Sequence, residues 1–163
     1  VTPDQIIAVW RSGGTLRWHA NQSHALRQSQ DSVAGHQCRT AQLLFALHPA
    51  PTCDLIFAAL HHDAAEAGTG DLPAPAKRRW PTLKCAYQQA EAGVQADLGL
   101  LFALTRAEQD WLALADRMDA LLWVQHIDPA ATLRPDWHAH VNDVLKRAAA
   151  LGCSHAVMEV LSA

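Results

Sequence analysis

An all-α fold, one helical domain over residues 1–163, is what this sequence predicts, and three observations carry the prediction. Apolar residues recur at helical spacing, and no block alternates with the period-two pattern of strands joined by hairpin turns. Several segments open with helix-capping residues. Alanine is enriched along the chain, which favours helix. The 163 residues, 50 % hydrophobic and 18 % charged, suffice for one buried core and are too apolar for a disordered linker.

The elements follow in order. Thr2-Pro3-Asp4-Gln5 joins an N-cap, a first-turn proline and a capping-box glutamine, opening a helix to about Arg11 that Gly13-Gly14 ends. Residues 15–30 read as polar and irregular. A second helix is expected from Ser32 to Leu47, with His36, Thr40, Leu43 or Leu44, and Leu47 on one face. Pro49-Ala50-Pro51-Thr52 is a turn whose threonine caps a third helix through Leu60 to about Ala67. Gly68, Gly70 and Pro73 form a loop around Asp71, and a short segment leads to Trp80. Pro81-Thr82 starts a helix that Gly99 stops. Thr105-Arg106-Ala107-Glu108 is a capping box for a long helix through Trp111, Asp116 and Leu122. Pro129 and Pro135 bound a loop, Asp136 to Ala150 is helical, Gly152 stops it and Ser154 caps a last helix.

Composition excludes several function classes. A net charge of −3 argues against a general binder of nucleic-acid polymers or anionic membranes. No apolar run is long enough to span a bilayer, and Val1-Thr2-Pro3-Asp4 lacks the features of a signal peptide, so a cytoplasmic location is expected. Cys38, Cys53, Cys85 and Cys153 lie far apart without a Cys-x-x-Cys pair; free buried thiols are expected, not a zinc ribbon or a disulfide scaffold. Ten histidines against a single tyrosine call for an explanation.

The densest chemical cluster is His61-His62-Asp63-Ala64-Ala65-Glu66, which ends the apolar run from Leu55 to Leu60. Ionisable groups beside a buried stripe need partners or a metal, because burying them alone costs several kcal/mol (about 2–7 for a polar group). On a continuous helix His62 and Glu66 share a face, and His62 and Asp63 sit about 100° apart, close enough to flank one cation. Imidazole nitrogen with carboxylate oxygen suits Zn, Mn, Fe or Co. His36 and Asp116 are an imidazole and an acid set in apolar helix stripes. Each alone is plausible as a hydrogen-bonded core histidine or a salt-bridge partner; with the His62-Asp63 pair they can complete a metal site.

Gly35-His36, His62-Asp63 and Ala115-Asp116 resemble the H…HD…D signature of the HD-domain metal-dependent phosphohydrolases. Arg17-Trp18-His19, Asp31 to His36, and the run from His62 through Asp71-Leu72-Pro73-Ala74-Pro75-Ala76-Lys77 are similar to bacterial 5′-deoxynucleotidases of that superfamily and to their compact phage relatives, the dATP triphosphohydrolases. The likeness spans roughly Thr2 to Val124. It departs at Gly35, where glutamate is usual, and at His61, where an apolar or aromatic residue is commoner. Asp119, three residues after Asp116, is a second candidate for the fourth ligand.

The resemblance implies that His36, His62, Asp63 and Asp116 hold one divalent transition metal (Co, Mn, Zn or Fe), with additional Mg for a triphosphate substrate. Glu66 would protonate the departing 5′-oxygen or orient the attacking water; its plainer role is support of a metal histidine. Asp71 would sit near the sugar 3′-hydroxyl or the nucleophilic water, or else cap a helix near Pro73. Arg17 and Lys77 suit phosphate, Trp18 the base or deoxyribose, and the small Ala20 a purine. Trp18 could instead be a packing anchor. Trp10, Trp80, Trp111, Trp123 and Trp137 are expected in the core or a subunit interface. His24, His48, His126, His138, His140 and His155 are expected to be structural or solvent-facing.

The implied activity is hydrolysis of the 5′-phosphate ester of a deoxynucleotide. The expectation leans to dNTP triphosphohydrolysis of a dATP-like substrate; the alternative is a 5′-deoxynucleotidase acting on dNMP. A non-catalytic nucleotide- or metal-binding regulatory module and a purely structural helical domain are the other readings. The expected partner is a small deoxynucleotide, with no nucleic-acid polymer and no membrane, and the enzyme is expected to be a homo-oligomer in the cytoplasm (the host's, if phage-encoded).

Overall fold

The computed structural model describes residues 1–162; Ala163, the last residue of the expected domain, lies outside the described residues. Among these the fold is all-α, as expected. Ten α-helices follow one another: α1 (Pro3–Ser12), α2 (His24–Gln28), α3 (Val33–Leu47), α4 (Cys53–Ala59), α5 (Glu66–Thr69), α6 (Ala74–Arg79), α7 (Pro81–Asp97), α8 (Arg106–Ile127), α9 (Pro135–Ala150) and α10 (Ser154–Ser162). A 3₁₀ turn, Pro129–Leu133, fills the expected loop before α9. One isolated antiparallel bridge, Leu16 to Ser32, is the extent of β pairing among the described residues. No helix there is long and apolar enough to cross a membrane.

The chain forms two compact units, Val1–Gly35 with His61–Phe102, and His36–Leu60 with Ala103–Ala163. In the first unit, α1 opens with the expected capping box: Thr2 Oγ1 accepts from the Gln5 amide and Gln5 Oε1 accepts from the Thr2 amide. Helices α5 and α6 pack on α7, and α1 meets α5. Gly68 permits the α5–α7 approach, since a Cβ there would come within 3.3 Å of the Val94 methyls. Gly99, at φ +73°, ends the α7 segment as the sequence predicts.

The second unit holds most of the large buried side chains. Helix α8 turns Trp111, Leu114, Met118, Leu121 and Val124 inward at the three- and four-residue spacing of an amphipathic helix, and packs against α4 and α9. Full burial of each aliphatic side chain stabilises by about 1.5–3 kcal/mol. Helix α3 buries Val33, His36, Gln37, Thr40, Ala41 and Leu44, so Leu44, not Leu43, completes the predicted face.

Several expectations need correction. The third helix does not run to Ala67: α4 stops at Ala59, residues 60–65 are turns, and α5 begins at Glu66. Three-residue backbone bonds replace the α ladder there, including Ala64 N to His61 O and Glu66 N to Asp63 O. His-His-Asp has modest helix propensity, and the His62 carbonyl is instead taken by the Gln95 side chain at 3.0 Å. Residues 15–30 contain α2, a five-residue helix too short for periodicity, capped by Ser23. Ser154 is the first residue of α10 and not its cap. The cysteines are free but not buried: Cys38, Cys53 and Cys85 are exposed and Cys153 is half-buried. Cys38 lies off the buried face of α3, Cys53 begins α4, and α7 buries none of its side chains. The tryptophans, expected in the core or a subunit interface, need no correction: Trp111 and Trp137 are core residues, and Trp10 and Trp80 are 80 % and 50 % exposed in the single chain.

Candidate active site

The four expected metal ligands are shared evenly by the two units, His62 and Asp63 by the first and His36 and Asp116 by the second. In the first unit, the turns after α4 carry His62 and Asp63, with His62 Nε2 3.6 Å from Asp63 Oδ1. Both side chains are partly exposed. Breaking the helix separates them from the regular 100° spacing without separating them in space.

Glu66 opens α5 and is buried, and its Oε2 has no hydrogen-bond partner. Burial pushes its carboxyl up from 4.5 to about 9; the charges of Asp63 and Asp71 add to the rise, and Arg17 and Lys77 oppose it. A carboxylic acid so placed is protonated near neutrality and can donate a proton. Asp71, expected either near substrate or as a helix cap, lies two residues before Pro73, the N-cap of α6. Lys77 stands at 4.5 Å over the Tyr87 ring.

Arg17 and Trp18 converge on one buried acid that sequence reasoning left without a role. Asp31 Oδ2 accepts from Arg17 Nη1 at 3.0 Å and from Trp18 Nε1 at 2.9 Å. Its side chain is completely buried. The backbone reinforces the pair, because Arg17 N donates to Asp31 O at 2.9 Å. Trp18 adopts φ +65°, a conformation costing about 1–3 kcal/mol for a bulky residue, and the Asp31 and Asn21 hydrogen bonds hold it there. Ala20 is exposed in the turn that follows.

Two residues of α7 also went unnoticed in the sequence. Tyr87 donates its hydroxyl to the Gly70 carbonyl, tethering the loop that carries Asp71, and Thr69 Oγ1 lies 3.2 Å from the same hydroxyl. Burial pushes the Glu91 carboxyl up, Lys77 opposes, and Asp63 and Asp71 add to the rise. Their i, i+4 spacing on a helix is a signal for a shared face, but nothing local says what that face meets.

In the second unit His36 is fully buried between two acids. Its Nδ1 lies 2.6 Å from Asp119 Oδ2, and its Nε2 lies 3.2 Å from Asp116 Oδ1. A neutral imidazole carries one N–H, so it cannot donate to both; a proton or a cation must mediate one of the two contacts. This is the donor chemistry of a metal group, with His36 and Asp116 each able to offer one ligand atom. The second candidate for the fourth ligand, Asp119, faces inward on α8, where Arg39 also reaches it. Burial pushes the Asp119 carboxyl up, but hydrogen bonds from His36 and Arg39 outweigh it and hold the group below its ordinary value. Asp116, three residues earlier on α8, keeps 38 % of its side chain exposed.

Among the histidines expected to be structural, His140 bonds the Arg117 carbonyl at 2.8 Å and His48 accepts from the Ala50 amide.

The family model for the YfbR-like 5′-deoxynucleotidases matches residues 16–107, more than half of the chain. The match takes in Arg17, Trp18, Ala20, His36, His62, Asp63, Glu66, Asp71 and Lys77, and ends before Asp116. No curated protein and no solved structure matches the chain. The family favours the monophosphate alternative over the triphosphate leaning of the sequence. The chain belongs to the YfbR-like 5′-deoxynucleotidase family and is an HD-domain phosphohydrolase.

Proposed function

We propose that this enzyme is a metal-dependent 5′-deoxynucleotidase that hydrolyses a deoxynucleoside monophosphate to deoxynucleoside and phosphate, with residues 1–163 working as one HD domain. The observation that carries the reading is the family match over residues 16–107; Glu66, a buried carboxyl with an unpartnered oxygen that burial pushes up, supports it as the proton donor.

His36, His62, Asp63 and Asp116 would hold one divalent transition metal; the imidazole and carboxylate donors fit Zn, Mn, Fe or Co. When bound, such a cation acidifies water and neutralises charge on the phosphoryl oxygens. Glu66 supplies the proton that the departing 5′-oxygen takes as its bond to phosphorus breaks. Arg17, its guanidinium fixed by Asp31, and Lys77 bind the phosphate. Trp18 walls the sugar and Ala20 leaves room for the base. Asp71, on the loop tethered by Tyr87, receives the 3′-hydroxyl. The enzyme acts in the cytoplasm as a homo-oligomer, a part of the proposal that the exposed Trp10 supports.

The test is product analysis with Co(II) as the added metal. Incubation with dAMP is expected to release inorganic phosphate, and incubation with dATP to release no triphosphate. Triphosphate from dATP with dAMP left intact would replace this reading by a triphosphohydrolase. No product from either would leave a binding module.

A further inference from the structure

Asp119 has no part in the proposed metal set, yet three hydrogen bonds within the second unit converge on it. Its Oδ2 receives His36 Nδ1 at 2.6 Å and Arg39 Nη2 at 3.1 Å, and its Oδ1 receives Arg39 Nε at 2.6 Å. Asp119 is 2 % exposed. Arg39 in turn lays its guanidinium 4.3 Å from the centre of the Trp123 ring. Gly35, the residue beside His36 in sequence, contributes no side chain to this arrangement.

We propose that Asp119, clamped by Arg39 against Trp123, is a positioning residue that fixes the His36 ring with its proton on Nδ1 and presents Nε2 as the donor atom. The inference rests on the proposed metal role of His36. The geometry admits one ring orientation: turning the imidazole by 180° would put a carbon where Nδ1 meets the carboxylate and lose the 2.6 Å bond. With the proton on Nδ1, the nitrogen that can ligate a cation is Nε2, the one facing Asp116. The carboxylate also raises the basicity of the ring it accepts from, which strengthens the donor. Arg39 matters because a carboxylate held at both oxygens by one guanidinium cannot rotate away from the histidine. Asp116 and Asp119 thereby divide the work that their spacing on α8 left ambiguous: the half-exposed acid faces Nε2, and the buried one faces Nδ1.

The experiment compares wild type, Asp119→Asn, Asp119→Glu and Arg39→Met, each as the full chain, for Co(II) affinity by chelator competition. Proton NMR of the Co(II)-loaded proteins supplies a second readout. Wild type is expected to show an exchangeable, paramagnetically shifted N–H from the ligating His36. Asp119→Asn is expected to bind Co(II) about 10–100-fold more weakly and to exchange that proton faster. Asp119→Glu should recover part of the affinity. Arg39→Met leaves both His36 and Asp119 in place, so it serves if the asparagine variant does not fold; a loss of about threefold or more is expected. Affinities within twofold of wild type across folded variants, with lowered melting temperatures, would make Asp119 purely structural and overturn the proposal. A His36 whose exchangeable proton lies between both ring C–H groups, and so on Nε2, would do the same by assigning ligation to Nδ1. Wild type that takes up no Co(II) overturns the metal reading itself, an outcome distinct from a wild type that binds and a variant that binds equally well.

Discussion

Replacing Glu66 by Gln tests the most consequential electrostatic feature of the site without activity as the readout. Glu66 is buried, and its carboxyl is pushed up to about 9, first by burial and then by Asp63 and Asp71. In the unfolded chain it titrates near its ordinary 4.5. Between those values the folded enzyme holds a proton that the unfolded chain has released, so stability falls as pH rises. The slope is about 1.4 kcal/mol per pH unit, or roughly 3 kcal/mol accumulated between pH 4.5 and 7. The contribution is fully present below pH 4.5 and its loss is complete above about 9. Gln occupies the same volume and does not titrate. The assay is urea unfolding of chelator-treated wild type and Glu66→Gln at pH 5, 6, 7 and 8, with the two free energies subtracted at each pH so that other groups cancel. Wild type should lose stability relative to the variant by about 1.4 kcal/mol for each unit. Parallel curves would mean that Glu66 ionises normally, and the proton-donor argument would fall with them.

Turnover of dAMP should drop by about 10²–10⁴ in the same Glu66→Gln variant while Co(II) content, read by elemental analysis, stays at the wild-type level. Chelation should abolish phosphate release and added Co(II) restore it, and Asp63→Ala should lower metal occupancy; full activity after chelation would remove the metal from the reaction. Trp18→Ala should erase a preference for dAMP over AMP of about five- to a hundredfold, the range set by burying an unpaired 2′-hydroxyl at roughly 1–3 kcal/mol. Equal rates on dAMP and AMP in wild type would end that account. In the core, Leu114→Ala should cost about 2–5 kcal/mol in urea unfolding, because Leu114 is fully buried on α8.

Much of the helical framework could be read directly from the chain because its signals are local. The capping boxes at Thr2 and Thr105 act over three residues, the stop at Gly99 depends on one backbone angle, and the stripe on α8 repeats every three to four residues. The run from His62 to Lys77 is likewise contiguous, and with Arg17-Trp18 and His36 it announced a phosphohydrolase that the family match bears out. Local pattern also misled. It extended the third helix through His61-His62-Asp63, where propensity is weak and the Gln95 side chain, 33 residues on, takes the carbonyl the helix would have used. Tertiary structure alone decided which partners the functional side chains have. Asp31 gathers Arg17 and Trp18 from 14 and 13 residues away, and Asp119 reaches His36 across 83 residues. It also decided that Glu66 lies buried enough to keep its proton. Separations of that length leave no periodic trace in a sequence, since a carboxylate reads the same whether it meets water, an arginine or an imidazole, and only packing selects among them.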